Sequence, residues 1–167
     1  MSPLVSIIMG STSDLPVMEK AAKLLEEMQV PFEMNALSAH RTPIEVEQFA
    51  RTAQSRGLRV IIAGAGMAAA LPGVIAASTN VPVIGVPIKG LLDGLDALLS
   101  MVQMPPGIPV ATVGVNGAQN AAILAVQILA QSDAALSERL AAYKERLKEK
   151  VVKANEELAA IEYAYKV

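Results

Sequence analysis

His40 is the only histidine in 167 residues, and it stands in a short polar segment, Ser38-Ala39-His40-Arg41-Thr42-Pro43. Imidazole is the side chain whose ordinary pKa lies near neutrality, so proton transfer at physiological pH would run most naturally through this residue. Arg41 beside it offers a planar fork suited to bidentate recognition of phosphate or carboxylate. The bland alternatives are a histidine satisfied by backbone hydrogen bonds and a solvated surface arginine. Three features favour chemistry. The segment follows the second expected strand, the arginine adjoins the histidine, and Thr42-Pro43-Ile44-Glu45 reads as a capping box with proline at the first helical position. Such a cap would fix the backbone just after the pair.

A second polar cluster, Gly10-Ser11-Thr12-Ser13-Asp14, lies between the first strand and its helix. A glycine turn with hydroxyls at a helix N-terminus can cradle an anion, and Asp14 suits sugar hydroxyls. The competing reading is a Ser13 N-cap with Asp14 complementing the helix dipole. Gly64-Ala65-Gly66-Met67-Ala68-Ala69 matches the G-x-G-x-x-A dinucleotide fingerprint, but that fingerprint needs an acidic residue about 20 positions on. No Asp or Glu occurs between Glu47 and Asp93, so a dinucleotide is rejected. These glycines more naturally let backbone approach a flat ligand, with Ala65, Ala68 and Ala69 as candidate lining. No phosphate-loop G-x-x-x-x-G-K-S/T is present, and one histidine with scattered acids makes no convincing metal site.

The elements that must position these clusters alternate. Strands are expected over Leu4–Met9, Phe32–Leu37, Arg59–Ala63, Val81–Val86 and Pro109–Val115. Helices are expected from Ser13 to about Met28, from Thr42 to about Arg56, within the glycine-rich turn and helix of 64–80, over Asp93–Met101 and over Ala118–Gln131. This pattern predicts an α/β, flavodoxin-like three-layer sandwich with a five-stranded parallel sheet, whose ligands sit beyond the carboxyl ends of the strands. From Asp133, Leu136, Leu140, Tyr143, Leu147, Val151, Leu158 and Ile161 recur at helical spacing, predicting one long amphipathic C-terminal helix. The expected organisation is a single domain over 1–167. A core occupies 1–131, and the helix of 132–167 packs on it or on a neighbouring subunit.

A net charge of −2 argues against nucleic acid or an anionic membrane as partner. The absence of cysteine excludes disulfides and thiolate metal sites, and Met1-Ser2-Pro3 opens no secretory signal, so a cytoplasmic protein is expected. Between residues 60 and 132 the only charges are Lys89, Asp93 and Asp96, too few for a monomer's surface; an obligate oligomer is expected.

Five segments occur in order and in register: Gly10-Ser11-Thr12-Ser13-Asp14, Ser38 to Pro43, Gly64-Ala65-Gly66 through Leu71-Pro72-Gly73, Pro82 to Pro87, and Val102-Gln103-Met104-Pro105. Over roughly residues 4–160 the chain thereby resembles the class I branch of the aminoimidazole ribonucleotide carboxylase family of purine biosynthesis, whose activity is that of an N5-carboxyaminoimidazole ribonucleotide mutase. The resemblance implies a homo-octamer around a neutral core, with no metal or organic cofactor. It also implies a ribotide bound by Ser11, Asp14 and Arg41, catalysis by His40, and a pocket lined by Ser13, Ser38 and Gly66. Where the class I pattern reads Gly-Ala-Gly-Gly-Ala-Ala-His-Leu-Pro-Gly, Met67 and Ala70 replace a glycine and a histidine here. The branch using carbon dioxide directly tends to carry lysine after the histidine, so Arg41 favours the mutase. Direct carboxylation, a non-catalytic nucleotide-binding module and a purely structural oligomer are the rival expectations.

Overall fold

The apolar run after Pro3 forms β1 (Val5–Met9), buried at every position and paired along both edges. Four parallel strands join it: β2 (Phe32–Ala36), β3 (Val60–Gly66), β4 (Val83–Ile88) and β5 (Ala111–Thr112), in the order β2-β1-β3-β4-β5. This computed structural model describes residues 2–167. The strand order is that of the flavodoxin-like doubly wound sheet, and it reverses between β1 and β3.

Near-continuous apolar strands require cover on both faces, and successive side chains divide between two cores. Val5, Ile7, Met9, Ile62 and Ile84 pack with residues of α1 (Leu15–Glu27), α5 (Ala118–Ala130) and the first turns of α6 (Ala134–Ala159). Ile8, Ile61, Ala63 and Val83 pack on the other face with α2 (Pro43–Thr52), α3 (Leu71–Ser78) and α4 (Leu95–Val102).

Several boundaries differ from expectation: β4 runs Val83–Ile88 rather than Val81–Val86, and α6 ends at Ala159, short of Ile161 and the expected 167. Four others differ for a local reason. β3 continues through Gly64, Ala65 and Gly66, which pair with Val86, Pro87 and Ile88. The ladder overrides the glycine turn because Met18 fills the space beside Gly64, where a Cβ would stand 2.5 Å from its Sδ. β5 is only two residues long. Gly85 and Pro87 turn their carbonyls toward this edge, accepting from Val113 N–H (3.1 Å) and Asn116 N–H (2.8 Å), and Pro87 has no N–H to return. α2 stops at Thr52 rather than Arg56, and the chain turns through Gly57 at φ +91°. α4 starts at Leu95, after Gly94 in the left-handed region.

The C-terminal helix divides. Leu136, Leu140 and Tyr143 are buried, Arg139 Nε donates to Met28 O at 3.0 Å, and Gln119 Nε2 donates to Tyr143 OH at 2.9 Å. Leu147, Val151 and Leu158, further along the same stripe, are exposed. The helix therefore packs on the core through its first half alone.

Of all the glycines, Gly64 is the one at which a Cβ would meet the nearest atom. Gly64→Ala should destabilise the protein by about 1–3 kcal/mol, the usual cost of overpacking, as read by urea unfolding, and shortening Met18 to Val in the same chain should restore part of the loss.

Candidate active site

Where strand order reverses, the loops after β1 and β2 and the end of β3 enclose a cavity of about 490 Å³. Ser11, Ser13, Asp14, Ser38, His40, Arg41 and Gly66, all singled out from the sequence, line it. So do Ala65 and Ala69; Ala68 does not, because the turn after Gly66 points it outward, where it is exposed. Gly10, Ala39, Met67, Ala70 and Leu71 complete the wall. Gly10 belongs to the expected anion cradle and Met67, Ala70 and Leu71 to the glycine-rich segment, but none was expected to line the site, and for Ala39 the one signal available was its position at a strand end. A larger cavity of about 680 Å³ borders the C-terminal end of α3 and the start of β4 and includes neither His40 nor any acidic residue.

Each loop is built by its own polar groups. Ser11 Oγ accepts from Ser13 N–H at 3.3 Å and caps a single 3-10 turn, Thr12–Asp14, that leads into α1. The expected Ser13 N-cap is thus replaced: Ser11 caps the turn, and Asp14 precedes α1 without a side-chain cap bond. In the second loop the expected capping box does not form, because Thr42 makes no side-chain bond to α2. Its Oγ1 turns back instead, accepting from Ser38 N–H (2.9 Å) and donating to Ser38 O (3.1 Å), while Thr42 N–H also reaches Ser38 O at 2.8 Å. The result is a closed turn that presents His40 and Arg41 at the rim, both solvent-exposed.

Arg41 joins the two loops. Its Nη2 donates to Gly10 O at 2.8 Å, and its Nε and its backbone N–H both donate to Ser38 Oγ at 3.3 Å. A guanidinium carries five N–H donors, so three remain for an anion. Asp14 is the acid of the cavity. Burial pushes its carboxyl above the ordinary value, more than the hydrogen bonds from Ser11 and Ser13 and the Arg41 charge pull it down. The third wall is strained: Met67 and Ala69 hold φ values of +54° and +39°. Left-handed backbone costs a non-glycine residue roughly 1 kcal/mol or more.

An imidazole, a cation with free donors, a half-buried carboxyl group and a set of hydroxyls thus face one space. That set can hold a sugar phosphate and move a proton.

The family model described as AIR carboxylase matches residues 4–150. The N5-carboxyaminoimidazole ribonucleotide mutase of Pyrococcus abyssi is 62% identical over 147 residues, 87% of this chain and 84% of that protein. The mutase of the same name from Thermotoga maritima is 52% identical over 162 residues, 96% and 95% of the two chains. The phosphoribosylaminoimidazole carboxylase of Schizosaccharomyces pombe is 55% identical over 161 residues, which make up 29% of its length. Among solved structures, PurE of Treponema denticola superposes with a TM-score of 0.85 at 29% identity, covering 93% of this chain and 98% of that one.

The Asp14 shift carries a stability prediction. The folded chain holds the Asp14 proton more tightly than the unfolded chain, so the group's stabilising contribution is complete below the unfolded value near 4 and is lost as pH rises through the folded value. Asp14→Asn should therefore raise the melting temperature of the ligand-free protein at pH 7 to 8, with the gain shrinking toward pH 4.

Proposed function

The chain belongs to the AIR carboxylase family, and we propose that its reaction is the N5-carboxyaminoimidazole ribonucleotide mutase step of purine biosynthesis, run in the cavity between the ends of β1, β2 and β3. The substrate is a ribotide. Its phosphate meets the free donors of Arg41 and the hydroxyls of the Ser11–Ser13 turn, and its ribose hydroxyls meet Asp14. Ser38 and Gly66 border the ring. The observation that carries this reading is that the chain's one histidine and its phosphate-competent arginine share a cavity with Asp14 and Ser11, contributed by a different strand end.

The carboxylate moves from the exocyclic amine to ring carbon 4. His40, protonated, gives its proton to the exocyclic nitrogen as the carbamate C–N bond breaks and carbon dioxide separates. Carbon 4, nucleophilic through the enamine-like ring, attacks the carbon dioxide and forms the new C–C bond. His40, now neutral, removes the carbon 4 proton and restores aromaticity. One group acting as acid and then base needs an affinity for protons matched to the working pH, which imidazole supplies. Keeping the carbon dioxide in place makes its recapture intramolecular.

The fungal relative named as a carboxylase supports a second reading, direct carboxylation of aminoimidazole ribonucleotide with carbon dioxide. Supplying the carbamate ribotide or, separately, aminoimidazole ribotide with bicarbonate, both without ATP, separates the two. The subunit is proposed to assemble as a cytoplasmic homo-octamer. Support comes from exposed Leu91, Leu92, Leu95, Leu99 and Val102 around α4, an apolar surface that a lone subunit leaves in water. Light scattering should return the mass of eight subunits. Among the described residues no helix is long and apolar enough to cross a membrane.

His40→Asn should lower carbamate turnover by roughly 10²–10⁴, the usual contribution of a general acid–base group, with ribotide binding preserved; unchanged turnover would falsify the assignment. Arg41→Ala should raise the ribotide dissociation constant by about tenfold or more, the loss of a charge-assisted hydrogen bond being worth ~1.5–3 kcal/mol, as read by calorimetric titration.

A further inference from the structure

We propose that the second half of α6 pairs with the same segment of a second copy of the chain, in an antiparallel seam that sets Val151 of each copy against Ala154 of the other. The pairing requires self-association, as the octamer proposed above does, and it is independent of the reaction.

The apolar stripe of α6 outruns the core. Leu136, Leu140 and Tyr143 are buried, and Arg146 pairs with Glu27 of α1 while lying over the Tyr143 ring at 5.7 Å. Among the described residues, Arg146 is the last of α6 with a hydrogen bond or ion pair to another element. Past it, Leu147, Val151, Ala154 and Leu158 continue on the same side of the helix, and Ile161 follows. All are exposed, Val151 at 62% and Leu158 at 58%. Their steps of four, three, four and three residues are the heptad spacing by which one helix packs on another.

Charge says which helix. Residues 144–153 carry Lys144, Arg146, Lys148, Lys150 and Lys153 against Glu145 and Glu149, whereas 154–162 carry Glu156, Glu157 and Glu162 and no cation. Two such segments side by side in the same direction set like charge on like. Reversed, the basic end of each lies along the acidic end of the other. With Val151 and Leu158 at the a positions, Lys150 and Glu157 both fall at g, and in an antiparallel pair g faces g. Lys150 of one copy then meets Glu157 of the other; neither makes an ion pair among the described residues of a single chain. Leu147 packs on Leu158 in the same register, and the contact is the same patch on both copies, as a two-fold axis demands. Exposed ion pairs add little affinity each. The charges therefore fix direction, and burial of the stripe supplies the association.

The chain has no cysteine, so one introduced thiol reports one position. At ~1.5 Å of rise per residue, the two copies of residue 154 stand about 5 Å apart along the seam and the two copies of residue 147 roughly 17 Å apart. Ala154→Cys and Leu147→Cys are each made in the full chain and treated with a thiol-bridging reagent too short for the longer gap. Ala154→Cys should give covalent dimers and Leu147→Cys should not. Added to Ala154→Cys at low salt, Lys150→Glu and Glu157→Lys should each lower the dimer yield several-fold, and both together should restore it. Absence of a link at 154, in a chain whose native mass is that of several subunits, overturns the pairing alone. A native mass of one subunit overturns the pairing and the octamer together. Links at both 147 and 154 overturn the antiparallel direction, and charge changes that the double variant does not repair show that another surface covers the stripe.

Discussion

The site depends on one hydrogen bond, from Arg41 Nη2 to the carbonyl oxygen of Gly10. It links loops 31 residues apart in sequence, one following β1 and the other β2. Register places Met9 opposite Ala36, and Leu37 N–H donates to Met9 O, so the strands deliver both loops to the same height. The arginine then sets their separation. Because Gly10 O and Ser38 Oγ use only part of the guanidinium, the same residue is at once a brace and a cation with donors to spare. The charge that the brace brings to the cavity opposes the desolvation of Asp14 without overcoming it. Loop geometry and electrostatics are thus set by a single side chain.

That economy explains why the site was legible in the sequence while its local construction was not. Polar residues that interrupt apolar strands can stand only at strand ends, and a doubly wound sheet gathers alternate ends at one edge; hence Ser11, Asp14, Ser38, His40, Arg41 and Gly66 converge as expected. The errors concern competition between partners for the same group. Thr42 had the right spacing for a capping box, but Ser38, four residues upstream, offered both an acceptor and a donor and took its hydroxyl. Gly64-Ala65-Gly66 had the composition of a turn, but β4 presented an unpaired edge and Met18 a side chain to fill the glycine's space. Neither outcome is visible in a window of neighbouring residues, because each is decided by an atom from elsewhere in the fold.

The charge-poor middle of the chain serves two ends. Its strands β3 and β4 are buried on both faces, and this alone accounts for their lack of charge. The same composition continues onto α4 and the segment before it, where Leu91, Leu92, Leu95 and Leu99 meet solvent in the isolated chain. Core burial does not explain these. The second half of α6 repeats the pattern on the opposite core's side, with Leu147, Val151 and Leu158 exposed in a helix otherwise dense in charge. Sequence periodicity reports that a face is to be covered and is silent on whether the cover comes from the same chain.

Backbone strain separates function from mere punctuation. Gln29 is left-handed at the end of α1, an ordinary way to stop a helix, and it does not line the His40 cavity. Met67 and Ala69 on one side, and Leu92 and Asp93 on the other, have no helix to end. They flank the strand ends of β3 and β4, where Lys89 N–H is held by Asn116 Oδ1 at 2.9 Å and Asn116 is itself left-handed. Such conformations survive only if the rest of the molecule holds them, and the two buried cores supply that support. The stable part of the fold is the apolar sheet with its helices; the strained part is the rim that the sheet carries, and the His40 cavity opens on that rim.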